Sequence, residues 1–281
     1  MLRSVIFRSL IVILVLLLAV AGMLYLVQDG MIYHPRPYSK NDLREIEVAG
    51  LDRLDFETGE GEQVAFYRAP STGAAAQRVW LVFGGNGGRA ADYRNLASDV
   101  NDGYLFVDYP SYGLCDGDPS PASIDQSVDG ALAALGVKLS VSVEALSEKL
   151  CVVGHSIGAA VGLRAAVIHE VDRVVIMAPF TTMKEIAAGR VGNLFSNVLR
   201  HRFDNLSTLE QLKEANPAAR VTILTGNDDW HIPPEMSQRL AKQFPEMVEL
   251  QLLNGVGHND ILNDALLQVL EAMTPLNPSE K

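Results

Sequence analysis

The sequence predicts an α/β domain with a mostly parallel sheet covered by helices on both faces, and three observations predict it. Apolar runs at 79–83, 104–107, 150–153, 174–177, 221–224 and 248–253 are continuous or nearly so, as strands buried on both faces are. Segments of helical character separate them, at 92–100, 123–135, 157–169, 234–244 and 260–273. Four of the runs end in loops rich in Gly, Asn, Asp or His, where an open α/β sheet gathers its polar chemistry.

In chain order, the first feature is the stretch 10–27, eighteen residues without a charge that follow Arg3 and Arg8. That length just reaches what a membrane helix needs. Residues 1–28 are read as a retained anchor, because Met23-Leu24-Tyr25-Leu26-Val27 carries the apolar run past Ala19-Val20-Ala21, where a secretory signal would be cleaved before Gly22. A buried core helix is the third alternative, but an all-round apolar helix at a free terminus would need a core to enter. Arg36, Lys40 and Arg44 beyond the stretch balance Arg3, Arg8 and the amino terminus before it, so charge alone does not orient it. The short tail ahead of it places the domain, 29–281, on the outer side of the membrane.

Pro35 and Pro37 make 32–38 an extended connector. Residues 52–57 and 63–68 alternate apolar and polar around Thr58-Gly59-Glu60-Gly61, the pattern of an antiparallel hairpin at a sheet edge. Between 180 and 220 the strand and helix alternation lapses for longer than an ordinary connection. There Ile186, Val191, Leu194, Phe195, Val198, Leu199 and Phe203 recur at threes and fours, interrupted by Gly189 and Gly192. One or two amphipathic helices fit, either a cap lining a substrate pocket or a plain cover for the sheet. No repeat and no linker divides the remainder, so one domain is expected.

The formal net charge of −11, with no dense Lys/Arg cluster, argues against nucleic acid as a partner. Cys115 and Cys151 are the two cysteines; one falls in a loop and the other about 16 Å down a strand, too far apart for a disulfide. Neither a His-Glu-x-x-His helix nor a paired-cysteine pattern occurs, so no metal and no cofactor is expected.

The chemistry centres on Leu150-Cys151-Val152-Val153-Gly154-His155-Ser156-Ile157-Gly158, a buried strand, a hard turn and a helix of small residues. A Gly-x-Ser-x-Gly turn lifts its serine to the top of a sheet on a strained backbone. Three fixed positions match by chance in roughly one chain of this length in ten, so the weight lies in context. After the strand 79–83 comes Gly84-Gly85-Asn86-Gly87-Gly88, whose glycines admit an anion close to backbone N–H groups. A P-loop would end in Gly-Lys-Ser/Thr, which is missing. Asn86 and Ile157 are the expected oxyanion donors. A serine needs a base oriented by a carboxylate, and the loops after 221–224 and 248–253 supply Asp228, Asp229 and His258 in the chain order Ser, Asp, His. Taken singly, Asp229 is also a turn or cap carboxylate and His258 a solvated loop imidazole. His231 competes as the base, His155 is structural or pocket-lining, and Tyr112 either borders the pocket or fills a turn.

These segments resemble the α/β-hydrolase superfamily, in particular its membrane-anchored α/β-hydrolase-domain proteins of the esterase and serine-aminopeptidase-like branch. The resemblance rests on Tyr33-His34-Pro35, Phe83 to Gly88, Asp108-Tyr109-Pro110-Ser111-Tyr112-Gly113, Gly117-Asp118-Pro119-Ser120, Gly154 to Gly158, Phe203-Asp204-Asn205, Gly226 to Asp229 with Ile232-Pro233, and Gly257-His258-Asn259. It implies an eight-stranded sheet whose second strand is antiparallel, and it selects Asp229 over Asp228. Where that family commonly has His-Gly, this chain has Gly84-Gly85, which leaves open what braces the oxyanion loop. The expected activity is a membrane-anchored serine hydrolase of acyl bonds (carboxylic ester, lipid ester or thioester) using Ser156, His258 and Asp229. Peptide cleavage on the same fold and a non-catalytic binding protein are the alternatives.

Overall fold

A computed structural model describes residues 2–97 and 99–274 of the chain. The first helix, α1 (Leu2–Ile32), is apolar and almost entirely exposed. It runs further in both directions than the apolar stretch alone indicates, because Arg3, Arg8, Gln28 and Asp29 are all tolerated in a helix. After the extended connector comes α2 (Lys40–Val48), capped by Ser39 in a reciprocal box with Asp42.

The hairpin β1 (Asp52–Thr58) and β2 (Gly61–Arg68) pairs antiparallel as its alternation predicts. There follow β3 (Val79–Phe83), β4 (Gly103–Val107), α3 (Pro121–Leu139), α4 (Val143–Ser147), β5 (Leu150–His155), α5 (Ile157–Ile168) and β6 (Arg173–Met177). The insertion holds α6 (Met183–Phe195), broken by the non-helical Gly192 at φ 82°, and α7 (Asn205–Ala215). The chain closes with β7 (Arg220–Gly226), α8 (Pro234–Gln243), β8 (Val248–Leu253), α9 (Ile261–Asp264) and α10 (Leu266–Met273).

All eight strands form one sheet in the order β1-β2-β4-β3-β5-β6-β7-β8. Strand β2 is antiparallel to both its neighbours, and β4 through β8 run parallel. Parallel register puts the carboxyl ends of β3, β5, β7 and β8 on one rim; Phe83 pairs with Gly154, and Gly226 with Leu253. Two apolar layers, one on each face, seal the sheet between its helices.

One expected helix does not form. Residues 92–100 have the right apolar spacing, yet among the described residues only a 3-10 turn, Ala90–Tyr93, appears there. Asp99 takes the N–H and amide of Asn101, and Asp92 is tied to Arg36 and Arg89, so polar side chains that compete with the backbone win. The two cysteines are free and buried, Cys151 within β5 and Cys115 with its Sγ accepting the Val64 N–H at 3.3 Å.

Candidate active site

Strand β5 turns into α5 at Ser156, whose backbone sits at φ 58°, ψ −116°, a conformation L-residues avoid. The turn closes only because both flanking glycines lack a Cβ. At Gly154 one would overlap the Gly158 carbonyl, and at Gly158 it would strike the carbonyls of Phe83 and Gly84. The Ser156 N–H is held by Met177 O at 2.9 Å, at the end of β6. The backbone thus holds Ser156 at the top of the sheet.

Ser156 Oγ lies 3.0 Å from His258 Nε2, and His258 Nδ1 lies 2.6 Å from Asp229 Oδ2. Asp229 Oδ1 accepts two backbone bonds, from the N–H groups of His231 and Ile232, each at 2.9 Å. Burial pushes the Asp229 carboxyl up, but the His258 bond and those two backbone donors outweigh it and hold it below the ordinary carboxylate range. An ionised Asp229 accepts only, so Nδ1 of His258 carries the proton and Nε2 is free to take one from Ser156. Asp229, not Asp228, is the carboxylate on the imidazole. His231 contributes its backbone to Asp229, while its ring stacks 3.7 Å from the exposed Trp230.

The oxyanion loop is braced by three tyrosines. Tyr109 O–H donates to Gly84 O at 2.7 Å, and Tyr112 O–H donates to Asn86 O at 2.5 Å. Tyr93 Oη accepts the Gly85 N–H at 2.9 Å. A side chain at Gly84 would meet Gly88 O at 2.7 Å, so the loop as folded excludes the histidine common in the resembled family. Tyr93 also sits 3.0 Å from His155 Nδ1, and His155 Nε2 sits 2.9 Å from the His258 carbonyl. A carbonyl only accepts, so His155 donates from Nε2 and receives the Tyr93 proton at Nδ1. A continuous relay therefore ties the loop of Asn86 to the loop of His258. Burial, aided by the neighbouring His258, pushes the His155 imidazole down to about 4. Asn86 and Ile157 both line the cavity beside Ser156 and His258. Among the described residues the Asn86 N–H has no acceptor, and Ile157, first in α5, has no intrahelical one.

The cavity is about 340 Å³ and mostly apolar. Phe180, Met183, Ile186, Val191 and Phe195 form one wall, and Leu24, Gln28, Met31 and Ile32 of α1 form another. The insertion therefore does line a pocket, one of its two expected roles. His155 has the structural role that the sequence allowed it, whereas the α1 wall and the roles of Tyr93 and Tyr109 were not foreseen; no local pattern marks a residue whose partner lies in another loop. No cluster of three or more His, Cys, Asp or Glu side chains among the described residues is arranged to hold a metal.

Comparison with known proteins follows the same line. The sequence model of the alpha/beta hydrolase family matches residues 80–222, half of the chain. An uncharacterized protein of Mycobacterium tuberculosis (strain H37Rv) is 27% identical over 259 residues, covering 90% of this chain and 89% of that one. Human alpha/beta hydrolase domain-containing protein 17C is 25% identical over 195 residues, 67% of this chain and 55% of its own length. Among solved structures, the Pyrococcus furiosus esterase Pf2001 superposes with a TM-score of 0.63 at 13% identity, over 86% of this chain and 95% of that one. At that identity the likeness is one of fold.

Proposed function

Since the chain belongs to the alpha/beta hydrolase family, we propose that it is a membrane-anchored serine hydrolase that cleaves acyl esters or thioesters through Ser156, His258 and Asp229. The observation that carries this reading is the unbroken line of bonds from Ser156 Oγ through the His258 imidazole to Asp229, at 3.0 and 2.6 Å.

In this mechanism His258 Nε2 takes the Ser156 proton as Oγ attacks the acyl carbonyl carbon. The carbonyl oxygen gains the electron pair, and the N–H groups of Asn86 and Ile157 receive the oxyanion. As the carbonyl reforms, the bond to the leaving alcohol or thiol breaks, and His258 returns the proton to the leaving atom. Water then attacks the acyl-serine with His258 as base, releasing the carboxylic acid and restoring Ser156. Asp229 stays ionised throughout and holds the imidazolium.

The choice of acyl group over amino-acid amide is supported by the lining. Most of it is apolar, its polar members are Gln, His, Asn and Ser side chains with one cation, Arg190, and among the described residues no Asp or Glu lines the cavity to hold a free α-ammonium. Helix α1 serves as the anchor, with the domain on the outer side. Purified full-length protein tests the preference. Medium-chain acyl esters are expected to turn over far faster than amino-acid amides, and the reverse order defeats the assignment of substrate class.

A further inference from the structure

Resting on the acyl-hydrolase reading above, we propose that the last turns of α1 are part of the substrate site. The acyl chain of a membrane-dissolved amphiphile then reaches Ser156 directly from the bilayer.

Leu24, Gln28, Met31 and Ile32 recur at intervals of four, three and one, so they share one face of α1, and that face is a wall of the cavity. Gln28 and Ile32 are buried, while α1 from Val5 to Val20 is exposed all round. The contact is specific. Gln28 Oε1 accepts the Arg200 N–H at 2.6 Å, Gln28 Nε2 donates to Val198 O at 3.3 Å, Asp29 pairs with Arg200, and the Arg200 guanidinium lies 5.0 Å from the Tyr25 ring. These bonds lock the end of the helix to the segment that follows α6.

Charge spacing places this wall relative to a membrane. Between Arg8 and Asp29 lie twenty residues without a charge. At 1.5 Å per residue they span about 30 Å, the thickness of a hydrocarbon core. Asp29 therefore marks where α1 leaves the lipid, and the face from Leu24 to Ile32 straddles that boundary. The cavity lies between the last turns of α1 and α6, and most of the side chains that those two helices turn toward it are apolar. Such surroundings suit a lipid phase better than water.

The test uses the full chain in phosphatidylcholine vesicles with p-nitrophenyl esters graded from acetate to myristate. In the wild type, kcat/KM referred to ester per lipid is expected to pass through a maximum at the chain length that fills the cavity. A shorter chain leaves part of it empty and a longer one does not fit, while transfer from bilayer to an apolar cavity gains little per methylene. Leu24→Trp moves the maximum to shorter chains, Leu24→Ala moves it to longer ones, and Leu18→Trp, on a turn outside the cavity, leaves it in place. Adding phosphatidylcholine at fixed bulk laurate ester slows turnover, because the enzyme samples ester per lipid. One unchanged profile across wild type and both Leu24 variants, with Ser156 still taking a fluorophosphonate, overturns the α1 wall and leaves the hydrolase standing. A rate that follows bulk ester overturns the bilayer route. A folded wild type that takes no fluorophosphonate overturns both readings together.

Discussion

At the scale of single residues, two side chains outside the triad decide how well it is aligned. Tyr93 accepts from the Gly85 N–H and donates to His155, which in turn holds the His258 carbonyl. Tyr93→Phe leaves a buried N–H and a buried imidazole nitrogen without partners, at a cost of about 1–3 kcal/mol per orphaned group. Denaturant unfolding is expected to report that loss. In kinetics kcat is expected to fall on the order of tenfold with KM little changed, less than the 10²–10³ of deleting an oxyanion donor outright. His155 adds a pH dependence whose sign is fixed by burial. Its imidazole is pushed down to about 4 in the folded chain, against about 6.5 unfolded. As pH falls from about 6.5 to about 4 the unfolded chain gains a proton that the folded chain refuses. Stability is therefore fully present above that window and declines through it by about 1.4 kcal/mol per pH unit. Urea melts between pH 7 and 4 check this, and His155→Gln is expected to flatten that component. Ser156 and His258 were legible in the sequence because each follows a strand and the chain order is distinctive, whereas Asp229 was chosen over Asp228 only through the family resemblance. Tyr93 was not legible, and His155 was read only as structural or pocket-lining, because their bonds run to residues 8 and 103 positions away.

Among the elements, the approach of α5 to β3 and β5 governs the site. Gly154 and Gly158 allow that approach, and Gly162 extends it where a Cβ would press on Val152. Gly158→Ala must displace the carbonyls of Phe83 and Gly84, which begin the oxyanion loop. A loss of about 3 kcal/mol or more is expected by thermal or denaturant unfolding, at the upper end of overpacking costs. A neutral result would mean that the elbow is looser than its geometry. Strands were the most legible elements, since six of them are apolar runs that need no partner to be read. Helices were less so. Residues 92–100 carried helical spacing but lost to side chains that bond the local backbone. The helix α2 was not foreseen, because it is short and mostly charged and polar.

For the whole molecule, the insertion and the N-terminal helix meet over the rim where the sheet presents its loops. One mostly apolar cavity there is lined by both of them together with Ser156 and His258. That arrangement was invisible in the sequence, because nothing in 24–32 or 183–199 names the other as its neighbour. The central claim, that three side chains distant in the chain operate as one unit, is tested most directly by covalent labelling. Full-length protein is treated with a fluorophosphonate and the modified peptide is mapped by mass spectrometry, beside Ser156→Ala and His258→Ala. The account predicts a phosphonyl group on the Ser156 peptide, none after Ser156→Ala, and a much slower reaction after His258→Ala. Folded wild type that stays unlabelled, or labelling that survives Ser156→Ala at the same rate, would contradict it.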